Sequence, residues 1–131
     1  MRIKRMVFLI LLCLCLCANL AYAKNWVLAK RSDFMGFTVY IDIDNIVKNA
    51  DTVIYWELWE FDEPGASRCK KNLCRTEAKI SIPRRTRNLE SYSYDSSNQE
   101  IERSTEPEEW EDIDPSNLSN TFIDIALKYA K

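Results

Sequence analysis

The chain has 131 residues, a formal net charge of −2 and no histidine. A weakly acidic chain is a poor general nucleic-acid binder, and the missing histidine removes the commonest general base and a common metal ligand. We therefore expect no nucleic-acid partner. The composition also disfavours an enzymatic function.

The chain begins with the pattern of a cleavable secretion signal over residues 1–23. Basic residues precede an apolar run over 6–18, and small residues follow at the cleavage position. A membrane-spanning helix needs about 20 apolar residues, and Asn19 interrupts this run too early. An uncleaved anchor is one alternative. Lipidation is another, because the run contains cysteines, but leucine rather than a small residue precedes each of them. We predict export, cleavage, no transmembrane span afterwards, and a single domain over residues 24–131.

Alternating apolar and polar side chains predict strands along most of this domain. The segment 52–61 has apolar residues on both faces, which is typical of a central strand. In the segment 74–82, Ile80 and Ile82 are expected to point inwards before Pro83 ends the strand. The predicted strands are 26–30, 37–43, 52–61, 74–82, 87–94 and 99–104.

Two cysteines, Cys69 and Cys74, remain once the signal is removed. Thiols pair in an oxidising compartment, so we predict a disulfide between them. The alternative is two free thiols, and geometry must decide between the two states.

The last segment predicts an amphipathic helix. Asp114 can cap its first turn, and Pro115 suits its first position. Apolar residues then recur at helical spacing, at Leu118, Phe122, Ile125, Ala126 and Tyr129. A helix of this length is marginal alone, so its apolar face should dock on the sheet. The expected fold is α+β: an antiparallel sheet of about five or six strands with a C-terminal helix packed on one face.

Motifs for catalysis or metal binding are missing from the sequence. The spacing of Cys69 and Cys74 fits neither a redox nor a zinc motif, and two glycines do not make a phosphate loop. Asp42 and Asp44 lack the other ligands of a calcium loop, and the acidic stretch 106–114 is best interpreted as a solvated loop. We expect no catalytic residue, no metal and no cofactor, and interpret the chain as non-enzymatic.

With catalysis and metal binding set aside, binding of a partner at the protein surface is the remaining function. The charged residues indicate where such binding could occur. The basic group around Ile82 and Pro83 consists of Lys79, Arg84, Arg85 and Arg87. The acidic group consists of Glu108, Glu109, Glu111 and Asp112. The basic group is a candidate site for an anionic partner, either a sulfated glycan or an acidic patch on a protein. The competing interpretation, slightly favoured, is that the two groups pair with each other or only solvate the fold. Tyrosine and tryptophan side chains are a second candidate surface, although core packing explains them better.

Several short motifs occur in a recognisable order. They are Val39-Tyr40-Ile41-Asp42, a tryptophan-containing strand at 53–58, Arg87-x-Leu89-x-Ser91-Tyr92, and Trp110-x-x-Ile113-x-Pro115-Ser116 before the final helix. In this order the chain resembles the surface-adhesin protein E-like domain of Gram-negative bacteria over nearly all of residues 25–130. The most specific part is the last motif, whose Trp110, Ile113, Pro115 and Ser116 are interpreted as structural.

The resemblance implies an antiparallel sheet with a C-terminal helix, and adhesion as the function. The name-giving member of the family is an outer-membrane adhesin that binds host matrix and serum proteins such as vitronectin, laminin and plasminogen. A host matrix or serum protein is therefore the expected partner beside an anionic glycan, and the expected location is the periplasm or the cell surface. The alternative is a structural or accessory periplasmic protein that contacts another bacterial component, as a homodimer formed through a strand edge.

The sequence departs from the family in its cysteines. Many relatives carry one cysteine near the position of Pro83 and another at the end of the final helix, and the resemblance implies that these two pair. This sequence has neither, so its helix must be held by packing alone. The resemblance supports the basic group only as a basic surface. It does not match these residues with contact residues of the relatives.

Overall fold

The computed structural model describes residues 24–131, and the predicted secretion signal lies outside the described residues. These residues form an antiparallel sheet of eight strands and one C-terminal helix, α1 (Ser119–Tyr129). The strands are β1 (Trp26–Ser32), β2 (Phe37–Asp42), β3 (Val47–Lys48), β4 (Thr52–Phe61), β5 (Lys71–Lys79), β6 (Arg85–Tyr94), β7 (Glu100–Ser104) and β8 (Glu111–Asp112). The sheet order is β1-β2-β4-β5-β6-β7, while β3 pairs with β4 and β8 pairs with β6. Within this part of the chain, no helix is long and apolar enough to cross a membrane.

The predicted α+β class is confirmed, but the sheet has more strands than predicted. All six predicted strands are present, and the two additional strands, β3 and β8, contain two residues each. Strands this short show no alternation that a sequence pattern could reveal. β8 lies in the acidic stretch that was interpreted as a solvated loop, and its main chain pairs with Arg85 and Thr86 of β6.

Alternation along the strands gives the sheet two unlike faces. The inner face, defined here as the face that carries α1, holds the fully buried side chains of Val39, Ile41, Val53 and Tyr55. β4 contributes two of these and pairs with β2 on one side and β5 on the other, so the predicted central strand is confirmed. The opposite face is called the outer face below.

The predicted helix is present and packs on the sheet, but its bounds differ from the predicted ones. α1 begins at Ser119, four residues after the predicted start at Pro115. The Asp114 carboxylate does not cap α1, because it accepts hydrogen bonds from the main-chain nitrogen and hydroxyl of Ser116 in a separate turn. The residues of α1 that are buried in the core are Phe122, Ile123 and Ala126. Ile123 was not predicted to be buried, and Tyr129, which was predicted to lie on the apolar face of the helix, is 39 % exposed.

α1 lies mainly over β1, β2 and β4, so it covers only one half of the inner face. The ring of Phe122 meets the ring of Trp59 edge to face, with 5.8 Å between the centroids. The other half of the inner face, over β5 and β6, carries polar side chains and lies open to a cleft. The fold therefore leaves two surfaces free for recognition: the outer face and this half of the inner face.

Candidate functional site: the basic corner

The predicted basic group lies where β5 ends and β6 begins. Register pairs Lys79 with Arg85 and Glu77 with Arg87, and these positions alternate with the buried Ala78, which places them on the outer face. Arg84 precedes β6 and turns the other way, towards α1. We call Lys79, Arg84, Arg85 and Arg87, together with the Ile82-Pro83 turn, the basic corner. The structure thus brings the four residues to one end of the sheet but divides them between its two sides.

Each arginine of the basic corner forms an ion pair. Arg84 Nη1 lies 2.9 Å from Asp124 Oδ1 of α1, and Arg85 Nε lies 2.7 Å from Asp112 Oδ1 of β8. Arg87 Nε donates to Glu77 Oε1 at 2.7 Å. Only Asp112 of these partners belongs to the acidic group named from the sequence. The corner is therefore a set of oriented, locally neutralised guanidinium groups and not a patch of unpaired positive charge.

Trp110 is the centre of the outer side of the corner. Its ring centroid lies 4.7 Å from Lys79 Nζ and 4.5 Å from Arg87 Cζ, within the range of cation–π attraction. β8 holds the segment in place, because its pairing with β6 fixes the residues that follow Trp110. A half-buried tryptophan is thereby fixed between two cations.

The other residues of the family motif hold this segment to the body of the domain. Ile113 is buried in the core, and its main-chain nitrogen donates to the Arg84 carbonyl at 3.1 Å. The hydrogen bonds from Ser116 lower the pKa of Asp114 below its usual value. Pro115 and Ile113 line a cleft of about 360 Å³ on the α1 side of the corner, next to Arg84.

This cleft and its rim expose apolar surface beside the charges. Ile82 stands at its edge with 92 % of its surface exposed, although the sequence predicted an inward orientation. The prediction was wrong because β5 ends at Lys79, so the alternation of the strand no longer applies three residues later. An exposed isoleucine beside oriented arginines combines apolar and polar recognition at one place.

The outer face continues from the corner as a row of half-buried apolar side chains. Tyr40, Leu58, Leu73 and Tyr92 face one another in register across β2, β4, β5 and β6. α1 packs on the opposite face, so the helix does not cover this row. The aromatic residues therefore divide: Tyr55 and Trp59 belong to the core side, while Tyr40 and Tyr92 belong to a surface.

The predicted disulfide between Cys69 and Cys74 is not formed in the structure, where both are free thiols. Cys69 lies in the loop that precedes β5, and Cys74 lies within β5, where its thiol donates to Asn72 Oδ1 at 2.6 Å. The Cys69 thiol donates to the Lys71 carbonyl at 3.3 Å instead. Burial raises the pKa of Cys74 to about 12. Within residues 24–131, no cluster of three or more potential metal-ligating side chains is present.

Glu57 is the residue that the sequence interpretation missed. It shares the inner face with Val53, Tyr55 and Trp59, and only 7 % of its surface is exposed. The period of two along β4 already placed it there, because every second residue from Val53 points inwards. A carboxyl group at an inward position of a central strand is the signal that could have identified it.

In a comparison with protein families, the model described as surface-adhesin protein E matches residues 26–126. No curated protein and no solved structure matches the chain. The matched range contains all eight strands, the basic corner and most of α1.

Proposed function

Because the chain belongs to the surface-adhesin protein E family, we propose that residues 24–131 form one exported, non-enzymatic domain that binds a protein partner in the bacterial cell envelope. We propose the outer side of the basic corner, together with Ile82, as the contact surface. The observation that carries this proposal is Trp110, fixed between Lys79 and Arg87 on a side of the sheet that α1 leaves uncovered.

The composition of the corner favours a protein partner over an anionic glycan. Tryptophan and arginine are the side chains most often found at the energetic centre of protein interfaces. The carboxylates of Glu77, Asp112 and Asp124 already neutralise the arginines, so a sulfated chain would have to compete with them. Each guanidinium still has unused donors for carbonyl groups of a partner.

The proposed partner is a host matrix or serum protein, and the proposed location is the outer surface of the cell after removal of residues 1–23. Family membership supports surface adhesion as the general role. The alternative, a periplasmic accessory protein with a bacterial partner, differs from it in location. The first experiment therefore addresses location.

The location experiment uses an impermeant biotin label on intact cells that express the full chain, with a periplasmic protein as the control. Labelling of the domain in intact cells supports display on the surface. If the domain is labelled only after lysis, the adhesin proposal is wrong and the periplasmic alternative replaces it.

The contact surface is then tested on purified protein against immobilised vitronectin, laminin and plasminogen. Arg85→Glu and Trp110→Ala should weaken binding at least about tenfold, as expected for residues at the centre of an interface. Lys48→Glu on the exposed β3 makes a comparable change of charge away from the corner and should bind like the parent. Equal binding by all three variants would exclude the corner as the contact surface.

A further inference from the structure

The cleft on the half of the inner face that α1 leaves open has a volume of about 430 Å³. Strands β4 and β5 supply one side, and the loop that follows β4 supplies the other. We call it the inner cleft. The lining residues that bear on its chemistry are Glu57, Trp59, Phe61, Glu63, Asn72 and Asn88. In the part of the chain that the structure describes, none of the lining residues is lysine or arginine, and the charged lining groups are carboxylates.

Glu57 is the distinctive group of the inner cleft. It is more than nine-tenths buried and lies opposite Ile41 on β2 and Cys74 on β5, both of them uncharged neighbours. Its Oε2 accepts a hydrogen bond from Trp59 Nε1 at 2.9 Å. No lysine or arginine among residues 24–131 forms an ion pair with it, and burial raises the pKa of its carboxyl. A buried carboxylate without a counter-ion is unfavourable, and a bound cation would relieve that cost.

The aromatic residues beside Glu57 favour an organic cation over a metal ion. The rings of Trp59 and Phe61 both line the cleft beside Glu57 and form one aromatic wall, with 6.3 Å between their centroids and 23° between their planes. Aromatic faces attract ammonium and guanidinium groups, and a carboxylate at the end of such a wall adds a charge-assisted hydrogen bond. The exposed Glu63 carboxylate at the rim adds negative potential at the entrance.

We propose that the inner cleft binds a guanidinium or primary ammonium group, with Glu57 as the counter-ion and Trp59 and Phe61 as the aromatic wall. This site lies on the face opposite the outer side of the basic corner, so it does not depend on the proposed function. The same cation occurs on an arginine or lysine side chain of a polypeptide and on a free amine. The experiment below distinguishes the two sources.

The experiment follows the indole N–H resonance of Trp59 by NMR at about pH 8, above the ordinary range of a glutamate carboxyl. Trp59→Phe assigns this resonance. The probes are Nα-acetyl-arginine methylamide, which imitates a polypeptide side chain, and agmatine, which is a free guanidinium compound. Nα-acetyl-citrulline methylamide has nearly the same shape without the charge. We expect a saturable shift with a cationic probe and none with the neutral one. Tighter binding of the capped arginine would indicate that the cation comes from a polypeptide side chain. Tighter binding of agmatine would indicate that it comes from a free amine.

Two variants with the same chemical change test the role of Glu57. Glu57→Gln should weaken binding of the cationic probe at least about tenfold, which corresponds to about 1.4 kcal/mol. Glu60→Gln, on the same strand but on the outer face, should bind like the parent. The proposal is wrong if neither cation gives a saturable shift, if the citrulline probe binds equally well, or if the two variants bind alike. If Glu57→Gln fails to fold, Glu63→Gln at the rim replaces it and should weaken binding in the same direction.

Discussion

Replacement of Phe122 by alanine tests how much apolar packing contributes to holding α1 on the sheet. The Phe122 side chain is 1 % exposed and contacts the ring of Trp59 edge to face. Truncation of a buried phenylalanine costs about 3–5 kcal/mol, and loss of the aromatic pair places this site towards the upper end. A domain of this size has a total stability of about 5–15 kcal/mol. The loss therefore removes a large fraction of the free energy of unfolding.

The measurement is equilibrium unfolding in urea, followed by far-ultraviolet circular dichroism. The midpoint should fall strongly without a large change in slope, and the melting temperature should fall by at least about 12 °C. Phe34→Ala is the matched control, because Phe34 is 97 % exposed at the tip between β1 and β2 and should change stability by less than about 0.5 kcal/mol. A loss below about 1 kcal/mol for Phe122→Ala would refute the view that this contact holds the helix.

Three further predictions follow from titratable groups. Burial raises the pKa of the Glu57 carboxyl in the folded state, so its contribution to stability is fully present below the ordinary carboxyl pKa of the unfolded chain. That contribution is lost as pH rises through the pKa that the group has in the folded protein. The stability of Glu57→Gln relative to the parent should therefore increase with pH in urea titrations, and a constant difference would contradict this. Hydrogen bonds from Arg31 lower the pKa of Asp62, so Arg31→Met should raise it in a carbon-13 NMR titration, and an unchanged value would remove this explanation. Iodoacetamide should modify Cys69 before Cys74, whose pKa is about 12 because it is buried. Mass spectrometry checks the order, and modification of neither thiol without a reductant would instead indicate the disulfide.

The strands were predictable because their burial is a local pattern. β4 has the predicted bounds, since a ten-residue run with three β-branched and four aromatic residues suits no other element as well. The helix start was not predictable to the same degree. Asp114 and Pro115 are a normal start signal, but the hydrogen bonds of Ser116 and Asn117 to Asp114 close a separate turn first.

The candidate site was predictable as a set of residues but not as an arrangement. Sequence proximity placed Lys79, Arg84, Arg85 and Arg87 near one turn, and in the structure they lie at one end of the sheet. Their ionic partners come from three different elements, so no local pattern could reveal that the arginines are paired.

The amino-acid sequence by itself determined the class of the fold, the central strand, the docking of a C-terminal helix and the family to which the chain belongs. These features depend on periodicity and on the order of short motifs, both of which are properties of the chain. Only the tertiary structure decided that α1 covers one half of the inner face, that Trp110 lies between two cations, and that Glu57 lines a cleft and has no ion-pair partner among residues 24–131. The physical reason is that burial, pairing and desolvation depend on which distant segments meet, and strands far apart in sequence meet only when the sheet has formed.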